Sequence, residues 1–117
     1  MYQDEKYLHL VMEQADGGDV CDKVLSKKKF SEIDAKKIIH DALKGLNFLH
    51  HKNIIHRDLK PENLMIQLKK DENGKPIKDT IACIKLIDFG FSKMLDNELE
   101  SLNTACGSPN YVAPEVL

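Results

Sequence analysis

The chain has 117 residues, 42% of them hydrophobic and 31% charged, with no tryptophan and a formal net charge of -2. That balance suits one globular domain, or part of one, and excludes collagen, low-complexity and wholly disordered sequence. It provides no overall basic field for nucleic acid or an acidic membrane, and no apolar run approaches the ~20 residues of a membrane helix. Of the 17 basic residues only Arg57 is an arginine, the side chain suited to two-pronged recognition of phosphate or carboxylate. The cysteines, Cys21, Cys83 and Cys106, are odd in number and far apart. They suggest neither disulfides nor zinc and fit reduced thiols in the cytoplasm. The N-terminus carries acids before a short apolar run, unlike a signal or transit peptide.

Tyr7 to Met12 (YLHLVM) predicts a short buried strand. Gly17-Gly18 then marks a turn, and Asp19 stands as an N-cap before Val20, Val24 and Leu25 at helical spacing. This helix ends near Lys27 to Lys29, lysines that favour a helix C-terminus. Ser31 caps the strongest helix, with Glu32 and Asp34 in its first turn. Ala35, Ile38, Ala42, Leu46 and Leu49 form its apolar stripe, with Ile39 and Leu43 alongside, to about His51. Gly45 lies inside it, at a cost of about 1 kcal/mol against alanine, which suggests close packing. Ile54-Ile55 is a brief extended segment, and Pro61 makes residues 56–63 a loop. Leu64–Leu68 and Ala82–Ile87 read as strands joined by a polar stretch containing Asn73-Gly74, a hairpin signal. That stretch lacks the spacing of a calcium loop.

Three motifs follow in order: His56-Arg57-Asp58-Leu59-Lys60-Pro61-Glu62-Asn63, then Asp88-Phe89-Gly90, then Ala113-Pro114-Glu115. Their order resembles a phosphoryl-transfer signature set, and phosphoryl transfer needs in-line positioning and charge neutralisation. Asp58 is a carboxylate able to accept the proton of an attacking hydroxyl. Asn63 and Asp88 offer hard oxygens for magnesium. Lys60 lies two residues from Asp58 and is the cation for a transferring phosphoryl group. Singly, Asp88 could be a turn cap and Asn63 a loop-closing amide; the resemblance that the uninterrupted octet and the order of the motifs carry favours the chemical reading.

In that order the sequence resembles the eukaryotic protein kinases, over nearly the whole chain. The resemblance implies an α+β fold of which residues 1–117 form a partial catalytic domain: hinge strand, two helices, catalytic loop, small strands and activation segment. It implies ATP and Mg2+ as cofactors, with Asp58 as base, Lys60 on the γ-phosphate, and Asn63 and Asp88 as metal ligands. Met12 would be the gatekeeper, the Glu13 carbonyl and Ala15 amide would face the adenine edge, and Met65 would floor it; for both methionines a plain core position is equally compatible. Asp19 is either a ribose or substrate contact or only an N-cap. His56 and Phe89 would stack in the core. Lys60-Pro61-Glu62 resembles the serine/threonine pattern, with Ser108 beside Asp58 and Lys60 and Glu62 facing a basic substrate residue.

Arg57, preceding Asp58, resembles the arginine of kinases switched on by activation-loop phosphorylation. It would read a phosphate on Thr104, set there by an upstream kinase, with Lys93 assisting; Ser101 is a second candidate. DFGFSK and TACGSPNYVAPEVL look most like the calcium/calmodulin-dependent and AMP-activated branch. The 117 residues contain no glycine-rich phosphate loop, no lysine strand and no arginine to pair Glu115, and the stretch between Asn63 and Asp88 is longer than usual for the family. The expectation is therefore a serine/threonine kinase acting on protein substrates, represented by its catalytic middle and of little activity by itself. The alternative is an inactive kinase-like binding module or an incomplete gene product.

Overall fold

Asp19 and Ser31 start the two helices. The computed structural model describes residues 1–27, 29–95 and 106–114, with helices α1 (Val20–Lys27) and α2 (Glu32–His50). Asp19 Oδ1 accepts the Asp22 N–H at 2.8 Å, and Ser31 Oγ accepts the Asp34 N–H at 3.1 Å. Each cap satisfies a donor that the first helical turn leaves open.

The described strands form three antiparallel pairs: β1 (Tyr2–Gln3) with β2 (Leu8–His9), β3 (Ile54–Ile55) with β6 (Lys93–Met94), and β4 (Leu64–Lys70) with β5 (Pro76–Leu86). The β4–β5 hairpin is longer than the two predicted strands because its turn is well made. The Asp71 carboxylate accepts the Asn73 and Lys75 N–H groups at 2.9 and 2.8 Å, and Gly74 takes the left-handed conformation, φ 77°, that turns favour. Polar residues thus continue the ladder outward. The extension is fastened to α1 by Asp79, which pairs with Lys23 at 3.1 Å and Lys27 at 2.7 Å.

The core lies where α1 and α2 cover the hairpin. Val20, Ile38, Ala42, Leu64, Ile66 and Ile84 are buried together, with Phe30, Leu68, Ile81 and Leu86 packed around them. Leu64 and Ile66 are two apart, as period-two burial requires. On α2 the buried residues are Ile38, Ala42 and Leu49, so the stripe is narrower than its sequence suggests: Ile39, Leu43 and Phe48 are exposed. The close packing expected at Gly45 is loose enough for a side chain, since an added Cβ would meet Leu86 at an ordinary 3.8 Å.

The buried strand predicted for Tyr7–Met12 is corrected. Only Leu8–His9 is extended in a ladder, and Tyr7, Leu8, Leu10, Val11 and Met12 are all exposed. Apolar residues are buried only by surfaces packed on them, and among the described residues this segment's ladder partner is the two-residue β1. No helix of the described residues is long and apolar enough to cross a membrane.

Candidate active site

The loop from His56 to Asn63 closes on Asp58. Pro61 opens a short 3-10 turn, Pro61–Asn63, which swings Asn63 back under the loop. There Asn63 Nδ2 donates to the Asp58 carbonyl at 2.8 Å and to Asp58 Oδ2 at 3.1 Å. Lys60 Nζ lies 2.8 Å from the same Oδ2. On the other side, Ser108 donates from both its N–H and its Oγ to Asp58 Oδ1, at 2.9 and 2.8 Å, while Lys60 Nζ donates to Ser108 Oγ at 2.7 Å. Asp58, only 3% exposed, therefore has donors on both carboxylate oxygens. The Lys60 hydrogen bond leads in holding its carboxyl down to about 2, helped by Ser108 and opposed by burial. The same contact raises the Lys60 ammonium. Both groups are charged at neutral pH.

Asp88 is placed through its neighbour. The Ile87 N–H donates to the Asn63 carbonyl at 3.0 Å, and the Ile87 carbonyl meets His56 Nε2 at 2.9 Å. His56 is buried, and its Nδ1 accepts the Asp58 N–H at 3.3 Å, which puts the ring proton on Nε2. One imidazole thus ties the backbone of the proposed base to the residue preceding Asp88. Asp88 itself is exposed and left-handed, φ 62°, with the Gly90 N–H on its Oδ1 at 3.2 Å. The turn-capping geometry is therefore present as well. Phe89 sits edge-on to His56 at 5.2 Å but is 45% exposed, half outside the core in which it was expected. Arg57 is also left-handed, φ 65°, and such conformations cost non-glycine residues roughly 1–2 kcal/mol and gather at functional sites.

Arg57 Nε donates to the Phe91 carbonyl at 2.5 Å, drawing the 56–63 loop to the residues after Asp88. Gly107 crosses it so closely that a Cβ there would lie 2.8 Å from the Arg57 carbonyl. Lys93 pairs with Ile55 in the β3–β6 ladder. Thr104, Ser101 and Glu115 lie outside the described residues.

The segment expected to face adenine is less enclosed. Met12 is 79% exposed, no core residue, and Ala15 is half-buried. Glu13 reaches Lys85 at 3.1 Å, and Met65 stands opposite Asp19 in an isolated bridge, on the ladder next to Lys85. Glu62 is exposed on the loop itself, in its 3-10 turn. The structure thus gathers Asp58, Lys60, Asn63 and Ser108 into direct contact, holds Asp88 one residue from that cluster, and sets Asp19 against Met65 and Glu13 against Lys85, the ladder partner of Met65.

Sequence reasoning missed Asp16, Gly17, Lys85 and the backbone of Ile87. Asp16 Oδ1 accepts Gln67 Nε2 at 2.8 Å and the Leu68 N–H at 2.9 Å. A Cβ on Gly17 would lie 2.7 Å from the Ile66 carbonyl. These contacts join residues some 50 apart, and no local spacing announces them; the glycine pair was read only as a turn.

Comparison with known proteins assigns the family. Residues 1–117 match the family described as protein kinase domain, and the chain belongs to it. It is 44% identical over 117 residues to "Ribosomal protein S6 kinase 2 alpha" of Gallus gallus, covering all of this chain and 14% of that protein. It is 43% identical over 117 residues to "Ribosomal protein S6 kinase alpha-1" of Homo sapiens, covering all of this chain and 15% of that protein. It is also 40% identical over 116 residues to "Calcium/calmodulin-dependent protein kinase type 1" of Macrobrachium nipponense, covering 99% of this chain and 30% of that one. The chain thus spans between about a seventh and a third of these curated relatives.

Proposed function

We propose that this chain is the catalytic middle of a serine/threonine protein kinase that transfers the γ-phosphate of ATP to protein hydroxyls. The observation that carries the reading is the buried Asp58 carboxylate held between Lys60, Ser108 and Asn63 at 2.8–3.1 Å. A carboxyl near 2 is a weak base, and this reaction tolerates one. The transition state of phosphoryl transfer is loose, so the hydroxyl needs orientation more than early deprotonation. Asp58 supplies that orientation by accepting the hydroxyl's hydrogen bond and taking its proton as the bond to phosphorus forms. The rotatable Ser108 hydroxyl is the donor a substrate hydroxyl would displace.

Lys60 has three N–H donors. One meets Asp58 and one Ser108, leaving a third for the transferring phosphoryl group. Asn63 directs its amide nitrogen to Asp58, so the atom it has for a cation is its oxygen. That oxygen and the exposed Asp88 carboxylate are hard donors of the kind magnesium takes, and these two residues would hold it. Bound there, the metal would neutralise phosphate charge. The Glu13 carbonyl and Ala15 N–H would read the adenine edge above Met65, with Asp19 toward the ribose and Glu62 toward a basic substrate residue. Thr104, read by Arg57 and Lys93, would be the regulatory phosphosite, and its modification by an upstream kinase would add charge that Arg57 can grip.

The test is phosphotransfer to a serine peptide by the full natural polypeptide carrying these residues. Asp58→Asn, which keeps the shape and removes the base, is expected to lower turnover about a thousandfold. Turnover unchanged by Asp58→Asn would sink the reading.

A further inference from the structure

Residues 16–19 run along β4 like an unfinished strand. The Gly17 N–H donates to the Ile66 carbonyl and the Ile66 N–H to the Gly18 carbonyl, both at 2.8 Å, and Asp19 bridges Met65. Gly17 permits this approach, since a Cβ there would overlap the Ile66 carbonyl. The next donor on that edge of β4 is Leu68 N–H. It meets the side chain of Asp16 at 2.9 Å, and Gln67 Nε2 reaches the same oxygen at 2.8 Å. The β4–β5 register shifts between Gln67 and Leu68, so the carboxylate finishes the edge where the hairpin becomes irregular. At the other end, both Glu13 carboxylate oxygens lie within reach of Lys85 Nζ, at 3.1 and 3.2 Å. Lys85 stands opposite Met65 in the hairpin.

We infer that Asp16 and Lys85 are positioning residues for purine recognition, clamping residues 13–15 at both ends against the hairpin that carries Met65. The inference rests on the nucleotide reading above. Between the two clamps lie the Glu13 carbonyl and the Ala15 N–H, fixed relative to Met65. The Asp16 bonds, made to a carboxylate, are stronger than neutral ones; the Glu13–Lys85 pair, with Glu13 74% exposed, is the weaker clamp. Adenine and guanine present opposite donor and acceptor patterns on the edge such a pair would read. A backbone pair held in register discriminates between them, and a displaced pair does not.

The experiment measures binding of ATP and of GTP, each with magnesium, by calorimetry on the full natural polypeptide carrying these residues. Asp16→Ala is expected to lower the ATP-over-GTP preference about tenfold, less than the roughly hundredfold that a misplacement of about 1 Å can cost a reaction rate. Asp16→Asn keeps the accepting oxygen and is expected to hold the preference within about threefold of wild type. If Asp16→Ala weakens both nucleotides equally and leaves their ratio unchanged, Asp16 is only scaffold and the inference is overturned. Should circular dichroism show Asp16→Ala unfolded, Lys85→Met decides by the same ratio: a fall of about threefold supports the clamp, and an unchanged ratio overturns it. A wild-type protein with no preference for ATP refutes the nucleotide reading itself, and the clamp with it.

Discussion

Residues 56–63 and residues 7–12 have opposite fates. The first segment, HRDLKPEN, is polar and charged, yet His56, Asp58 and Asn63 are 2%, 3% and 5% exposed. The second, YLHLVM, is apolar, yet Leu10, Val11 and Met12 are 60%, 76% and 79% exposed. Burial here follows partners and not hydropathy. The polar loop brings its partners with it: Lys60, Ser108 and Asn63 for the Asp58 carboxylate, Ile87 for His56. The apolar segment has a two-residue ladder partner among the described residues, and side chains that need a surface stand in solvent.

The largest expected effect inverts the hydropathy of a buried position. Asn63→Leu makes the loop more apolar, yet it removes the donor to the Asp58 carbonyl and to Oδ2. It should destabilise the fold by about 2 kcal/mol, since buried acceptors that lose a donor cost this much. Urea unfolding followed by circular dichroism measures it; an unchanged midpoint would show that the loop is held by something other than these bonds.

Acid probes the same partners. The Asp58 carboxyl lies at about 2 in the fold and at 3.8 unperturbed. A depressed carboxyl stabilises the folded state fully above its unfolded value, and the contribution disappears as pH falls from 3.8 toward 2. Asp79, held down to about 2 by Lys27 and Lys23, acts in the same direction. Unfolding midpoints should therefore drop between pH 5 and pH 2, and Asp58→Asn should lose less over that range than wild type. Parallel pH profiles for the two proteins would contradict the assignment.

What could be read in the sequence was what rests on neighbours along the chain. Ser31 and Asp19 as caps, Ile38, Ala42 and Leu49 as a stripe, and Asn73-Gly74 as a turn all depend on residues within a few positions. The motif residues Asp58, Lys60 and Asn63 share a single loop, so their convergence was legible too. Asp16 with Leu68, Lys85 with Glu13, and Ile87 between His56 and Asn63 join segments distant in sequence. Their pairing depends on the register of the hairpin, and register is set by the whole core. The exposure of Tyr7–Met12 was illegible for a related reason. Strand propensity describes a segment's fitness for a sheet and says nothing of whether a covering layer is packed upon it.

Gly45 tests α2, the layer that the hairpin does have. A Cβ there would meet Leu86 at 3.8 Å, an ordinary contact. Gly45→Ala should therefore stabilise the fold by about 1 kcal/mol, from helix propensity alone. A loss of stability in thermal unfolding would mean that α2 sits closer to β5 than the structure places it.

The smallest effect belongs to the exposed segment. Val11→Ser exchanges a large apolar side chain for a polar one in a stretch that sequence alone reads as a core strand. A buried valine would lose about 2 kcal/mol on such a change. Val11 is 76% exposed, so the unfolding midpoint should move by no more than about 0.5 kcal/mol equivalent. Self-association should fall at the same time, because the substitution removes apolar surface from a contiguous run that includes Leu10 and Met12. Sedimentation velocity and urea unfolding on the same pair of proteins separate the two effects. A full-sized loss of stability would mean that Val11 is covered in solution, and that the two segments differ less in their partners than the structure shows.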